Sequence, residues 1–267
     1  MSGRVDLYRQ FLETPGDMVI QRGRFSEIAE STQAARIEYE EACNAKQLYD
    51  LVTHFRVAIF GSARIPANSK EFKFVTKLVE SLIAARRIDI VTGGGPGIME
   101  AANYGVICAR AAAEKNGKQH KAESVGVRID LPFEDMPNPH LRKETKHENF
   151  GTRLHAFISQ IKAAYIAQGG VGSDLELLYL MQLKQVKHLE ASFPIIAHPF
   201  WKPIVEVMHE SFYSKRKAEN LTPTISEKDL ELVQFSDDIE EIVEIITQQF
   251  DLWKEIRQRV RFVTNEG

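Results

Sequence analysis

Short apolar runs alternate with longer amphipathic stretches through most of this chain. Arg56–Phe60, Ile88–Val91, Ser124–Ile129, Ala163–Ala167 and Phe193–Ala197 read as strands, with Leu230–Phe235 as a last, shorter candidate. Ser69–Ala85, Met99–Glu114, Phe150–Lys162, Asp174–Lys187 and Asp238–Arg261 read as helices. Before the first strand, Pro15-Gly16 marks a turn, and Ser26 to Thr53, rich in Ala, Glu, Gln and Lys, reads as a further helix. Lys115–Lys121 is polar and reads as a loop. Leu131–Pro139 holds three prolines and Asn138, which excludes regular structure. Strands in regular alternation with helices predict an α/β fold, a Rossmann-like doubly wound parallel sheet with both faces covered. The whole chain, 1–267, reads as a single domain. Residues 1–54 form a helical extension, 55–201 the core and 202–267 a C-terminal helical part.

Ligands of such sheets sit outside the strand carboxyl ends, and two glycine loops fall there. Thr92-Gly93-Gly94-Gly95-Pro96-Gly97-Ile98-Met99-Glu100 follows one strand, and Gln168-Gly169-Gly170-Val171-Gly172-Ser173-Asp174-Leu175-Glu176 follows another. Glycines let an anion approach the backbone, and a helix start offers unpaired N–H groups and the positive end of a dipole. Two such loops point to one nucleotide-like ligand. The first loop lacks the third glycine of G-x-G-x-x-G, and G-x-x-x-x-G-K-[ST] is absent, so neither an ordinary NAD site nor a P-loop is predicted. Taken alone, the first loop also fits a tight turn with no ligand. Ser173-Asp174-Leu175-Glu176 also fits S-x-x-E, a capping box in which Glu176 serves only its own helix end.

The helix after the second loop carries leucines all round its axis, and Glu176 falls between Leu180 and Leu183. A carboxylate buried there needs a partner. Arg153 sits at the edge of the apolar stripe formed by Phe150, Leu154, Phe157, Ile158 and Ile161. Either it snorkels to solvent, or it leans over the sheet edge to hold a phosphate or pair with Glu176.

Composition narrows the classes. A 43% hydrophobic and 27% charged chain is ordinary for a globular protein, and a net charge of −3 gives no case for nucleic acid or an anionic membrane. No apolar stretch reaches the ~20 residues that span a bilayer. The N-terminus lacks an apolar signal core, and the two cysteines, Cys43 and Cys108, make no disulfide framework. A cytoplasmic protein is expected. The eight histidines show no metal-binding spacing, so no metal and no cofactor are predicted. His140, His147 and His155 read as surface or turn residues. No G-x-S-x-G elbow marks a triad.

The segment Gly169–Glu176 resembles the P-G-G-x-G-T-x-x-E motif of the LOG-like family, the nucleoside-5′-monophosphate phosphoribohydrolases also called possible lysine decarboxylases. Arg153 falls where that family has the arginine of R-K-x-x-M. Val91–Asn103, Phe60–Arg64, Leu131–Glu134 and Pro137–Pro139 are similar to the family's bacterial branch. The resemblance runs from about Arg56 to Trp201. It implies a Rossmann-like fold, usually a homodimer or higher homo-oligomer, that cleaves a nucleotide to free base and ribose 5-phosphate. By this resemblance Glu176 and Arg153 are the catalytic pair. Gly169, Gly170, Val171, Gly172 and Ser173 take the phosphate. Gly93, Gly94, Gly95, Gly97, Met99 and Glu100 shape the nucleoside pocket, with Gly61 and Ser62 nearby. Gln168 stands where the motif has proline, Ser173 where it has threonine, and Leu154 and Phe157 where it has lysine and methionine. The rival expectation is a non-catalytic protein that binds a nucleotide or, like the molybdenum-cofactor carriers, a pterin phosphate, and that would tolerate loss of Glu176 and Arg153. No lysine stands in a recognisable pyridoxal-phosphate context.

Overall fold

The computed structural model describes residues 54–118, 120–129 and 136–265. The expected helix over 26–53, Cys43 and the Leu131–Glu134 motif lie outside the described residues. Among the described residues, seven strands form one sheet: β1 (Arg56–Phe60), β2 (Asp89–Thr92), β3 (Ser124–Ile129), β4 (Lys143–His147), β5 (Ala163–Ile166), β6 (Ile195–Ala197) and β7 (Gln234–Phe235). Their order is β4-β3-β2-β1-β5-β6-β7, and every pairing is parallel. Connections wind outward in opposite directions from β1, so the switch point falls between β1 and β5, where an open parallel sheet places its ligand.

The core strands are apolar on both faces because both faces are covered. Val57 and Ile59 of β1, with Ala163 and Tyr165 of β5, pack into one core together with α1 (Lys70–Ala85), α2 (Ile98–Lys115) and α6 (Ile239–Asn265). Ala58 and Phe60, with Ala164 and Ile166, point the other way, into a second core with α3 (Phe150–Ile158), α4 (Val171–Gln185) and α5 (Lys202–His209). The strict alternation is the period-two geometry of a strand. The β2–α2 and β5–α4 turns at the switch point therefore rest on two packed layers. No helix among the described residues is long and apolar enough to cross a membrane.

Several elements differ from their sequence reading. The strand β4, Lys-Glu-Thr-Lys-His, carries no apolar signal because it is an exposed edge, and its lysines suit that edge. The helix expected over Phe150–Lys162 stops at Ile158, and Phe150 is exposed rather than part of the buried stripe. The last strand is confined to Gln234–Phe235. Ser226 and Asp229 form a capping box that starts a 3-10 helix through Leu232 and takes those residues out of the sheet. The helix α4 starts at Val171, not Asp174, and Gly170 is its N-cap. Ser173 thus lies inside the helix, which overturns the capping-box reading. Its leucines are not all buried either: Leu177 and Leu180 face the core, while Leu175 is exposed, since only one side of α4 meets the sheet.

Candidate functional site

Two helices begin at the switch point without any side-chain cap: α2 after Gly97 and α4 after Gly170. Two other helices, α1 and α3, are capped in the usual way. Ser69 accepts from the Phe72 N–H at 3.0 Å, and Asn149 from the Thr152 N–H at 2.9 Å. A helix start with no side-chain oxygen on its first-turn N–H groups leaves them to a ligand or to water. Between these two starts the structure holds a cavity of about 610 Å³. Its walls come from the turn after β1 (Gly61, Ser62, Ala63 and Arg64), from Gly93 and Met99, from Arg153, and from the run Gly169–Ser173 with Glu176.

The turns are tied to one another. The Ser62 N–H donates to the Gln168 carbonyl at 3.0 Å, and the Ile98 N–H donates to the Ser62 carbonyl at 3.0 Å. Gly97 makes this possible: its φ is +69°, and a Cβ there would strike the Ser62 carbonyl oxygen. Gly93 is needed for another reason. A Cβ on it would come within 2.5 Å of Arg153 Nη2 and 2.7 Å of Met99 Sδ, inside the cavity.

Arg153 is fixed on three sides. Its Nε donates to the Val127 carbonyl at 3.0 Å, its guanidinium lies 5.2 Å above the Phe157 ring, and its Nη1 stands 3.6 Å from Glu176 Oε1. That last gap is an ion pair longer than a hydrogen bond. It leaves the carboxylate close to a cation and open to a ligand hydroxyl. Glu176 is buried, and burial pushes its carboxyl up to about 7, with Arg153 pulling in the opposite direction. Burial also pushes the His147 imidazole down, with Arg153 adding to the effect. Of the two sequence readings of Arg153, the structure shows the inward one.

The raised carboxyl has a consequence for stability. Between the ordinary glutamate range and about pH 7 the folded protein holds a proton that the unfolded chain has released, so stability falls as pH rises through that window. Above it, the cost is about 3 kcal/mol. Replacing Glu176 by Gln is therefore expected to raise the melting temperature at pH 8 and to leave it nearly unchanged at pH 4.5. Thermal unfolding of both proteins at the two pH values checks this.

Other predicted residues lie outside the cavity. Gly94, with φ +79°, is pressed against Arg128 and Leu141. The Gly95 carbonyl accepts from Asn138. Glu100 faces His140 at 3.9 Å, and the His140 ring packs tilted against Tyr104 at 5.0 Å. Gly94, Gly95 and Gly97 therefore belong to the frame of the first loop. Among the described residues, no group of three His, Cys, Asp or Glu side chains could hold a metal.

Two features were missed. Arg64 lines the cavity, although it was read only as part of the Phe60–Arg64 motif. Asn138 clamps the first glycine loop: its Nδ2 donates to the Gly94 carbonyl (3.1 Å), the Gly95 carbonyl (3.0 Å) and Asn103 Oδ1 (2.9 Å). Asn103 in turn joins Thr92 and Ser124, and all four side chains are buried. The flanking Pro137 and Pro139 were the available signal. Asn138→Ala would leave buried carbonyls without a donor, and a loss of about 2–4 kcal/mol is expected, read by urea unfolding.

Fold and site together define a class: an open parallel sheet with a ligand-sized cleft at its switch point, one rim a glycine-capped helix start, one wall a buried arginine–glutamate pair. The chain belongs to the family described as possible lysine decarboxylase, whose model matches residues 99–246. That match reaches into α6, beyond the stretch the motifs covered. Pyrimidine/purine nucleotide 5′-monophosphate nucleosidases of Escherichia coli, from strain K12 and from O157:H7, are each 31% identical to this chain over 117 residues. The aligned part is 43% of this chain and 24% of theirs, so the chain matches about a quarter of the length of these relatives. Among solved structures, the molybdenum cofactor binding protein from the phototrophic bacterium Rippkaea orientalis gives a TM-score of 0.50 at 15% identity, covering 73% of this chain and 96% of that one. That likeness is one of fold.

Proposed function

We propose that the protein hydrolyses the N-glycosidic bond of nucleoside 5′-monophosphates, giving free base and ribose 5-phosphate. The observation that carries this reading is the buried Glu176 carboxyl 3.6 Å from Arg153, in the same cavity as the uncapped start of α4. In the reaction the C1′–N bond breaks with its electron pair going to the base, which takes up a proton. A water oxygen bonds to C1′ and gives up a proton. The sugar passes through an oxocarbenium-like state, whose positive charge a carboxylate in a dry wall stabilises. A carboxyl near 7 is about half ionised at neutral pH and able to exchange a proton with the attacking water.

In this reading the 5′-phosphate sits at Gly170–Ser173 and takes the N–H groups of the first turn of α4. Arg64 supplies a cation there and takes the part of the lysine absent at Leu154. Arg64→Ala is expected to raise KM about tenfold with kcat changed much less, because a phosphate contact serves ground and transition states alike. Steady-state kinetics on the preferred nucleotide check this. The substrate class itself is tested by incubating the protein with a panel of purine and pyrimidine monophosphates and separating the products. Release of base identifies the hydrolase and its preference. Tight nucleotide or pterin binding without release would replace it with the carrier reading.

A further inference from the structure

A second cavity, of about 320 Å³, opens at the same edge of the sheet on the α1 side. Its floor includes Tyr165, which is wholly buried and whose hydroxyl has no hydrogen-bond partner. A buried phenol left unsatisfied is unfavourable, and such groups in folded proteins call for an explanation. Around it stand groups from four separate elements. Gln168 follows β5, His198 follows β6, Asp237 follows β7, and Glu71 opens α1. The His198 Nδ1 accepts the Phe200 N–H at 3.0 Å, so the neutral ring carries its proton on Nε2, 3.5 Å from the Gln168 amide. Two carboxylates, Glu71 and Asp237, face one ammonium, Lys70, so the rim disfavours an anion. The Phe74 side chain, tilted against the Tyr165 ring at 6.2 Å, supplies an apolar wall.

An apolar wall, a buried phenol and carboxylates at the rim suit a small flat molecule with both acceptors and N–H donors. We propose that this cavity binds an amino-substituted heterocycle of nucleobase size, with the Tyr165 hydroxyl donating to a ring nitrogen and Asp237 accepting from the amino group. The site stands on its own geometry; the choice of a nucleobase rests on the hydrolase reading above. A ligand here would touch the first cavity's frame. Gln168 lines the second cavity while its carbonyl holds the Ser62 N–H, and the next residue, Gly169, lines the first.

The test uses the full chain carrying Glu176→Gln, saturated with AMP so that the first cavity is filled. Adenine is then titrated by calorimetry. One equivalent is expected to bind, and purine, which lacks the amino group, at least tenfold more weakly. Adding Tyr165→Phe or Asp237→Asn should each weaken adenine at least tenfold. Tyr165→Phe should fold normally and melt no lower than its parent without ligand, since it removes an unpartnered hydroxyl. Adenine that fails to bind beside AMP, or binds unchanged after Tyr165→Phe, overturns the site. Tyr165-dependent binding from a wild-type protein that hydrolyses no nucleotide upholds the site and removes the hydrolase. Hydrolysis without second-site binding does the reverse.

Discussion

Glu176→Gln is expected to lower kcat by about a thousandfold while leaving KM within a few fold. The amide keeps the shape and volume of the side chain, so the wall of the cavity persists and nucleotide still binds. In the proposed hydrolysis, what disappears is the negative charge opposite the developing oxocarbenium ion, together with the group that exchanges a proton with water. Burial makes that charge count: Glu176 sits in a setting unfavourable enough to push its carboxyl to about 7, where a charge interaction is stronger than in water. The same setting supplies the control. Because the variant is expected to be more stable at pH 8 than its parent, its loss of turnover cannot be assigned to unfolding. Single-turnover and steady-state measurements on the preferred nucleotide check the split between kcat and KM.

Arg153→Ala is expected to have the next largest effect, a fall of about 10–100-fold in kcat/KM at pH 7. Its cause is different. Arg153 pulls the Glu176 carboxyl down against the effect of burial, so its removal drives that carboxyl above about 7 and leaves less carboxylate at neutral pH. With the ionised form active, kcat/KM of the wild-type protein rises with pH through about 7, and in the variant the same rise moves to higher pH. Part of the lost activity then returns in alkaline buffer. A structural defect would lower the profile at every pH without moving it. Arg153→Lys keeps a charge but loses the fork that reaches both the Val127 carbonyl and Glu176, so only partial recovery is expected.

What could be read in the sequence follows from how each element is stabilised. The strands β1, β3 and β5 were legible because burial on both faces demands an apolar run. The strand β4 was not: an edge strand paired to β3 has no hydrophobic requirement, and Lys143–His147 carries no strand signal. The start of α4 was set three residues late because Ser173 and Glu176 imitate a capping box, while the true N-cap, Gly170, offers no side-chain signal. The pairing of Arg153 with Glu176 was one of two open readings, since helix periodicity places a residue at the edge of a stripe but not the way it turns. The Asn138 clamp depends on contacts across more than forty residues, beyond any local pattern. The second cavity joins residues from α1 to β7, and no motif spans them.

The central claim is that the cavity between Gly170 and Arg153 breaks a nucleotide's glycosidic bond through Glu176. Its most direct test is chromatography of the products formed from nucleoside monophosphates by the purified wild-type protein and by Glu176→Gln. Equal amounts of free base and ribose 5-phosphate from the wild type, and almost none from the variant, are predicted. Equal release by both proteins, or nucleotide bound by the wild type and recovered intact, would contradict it.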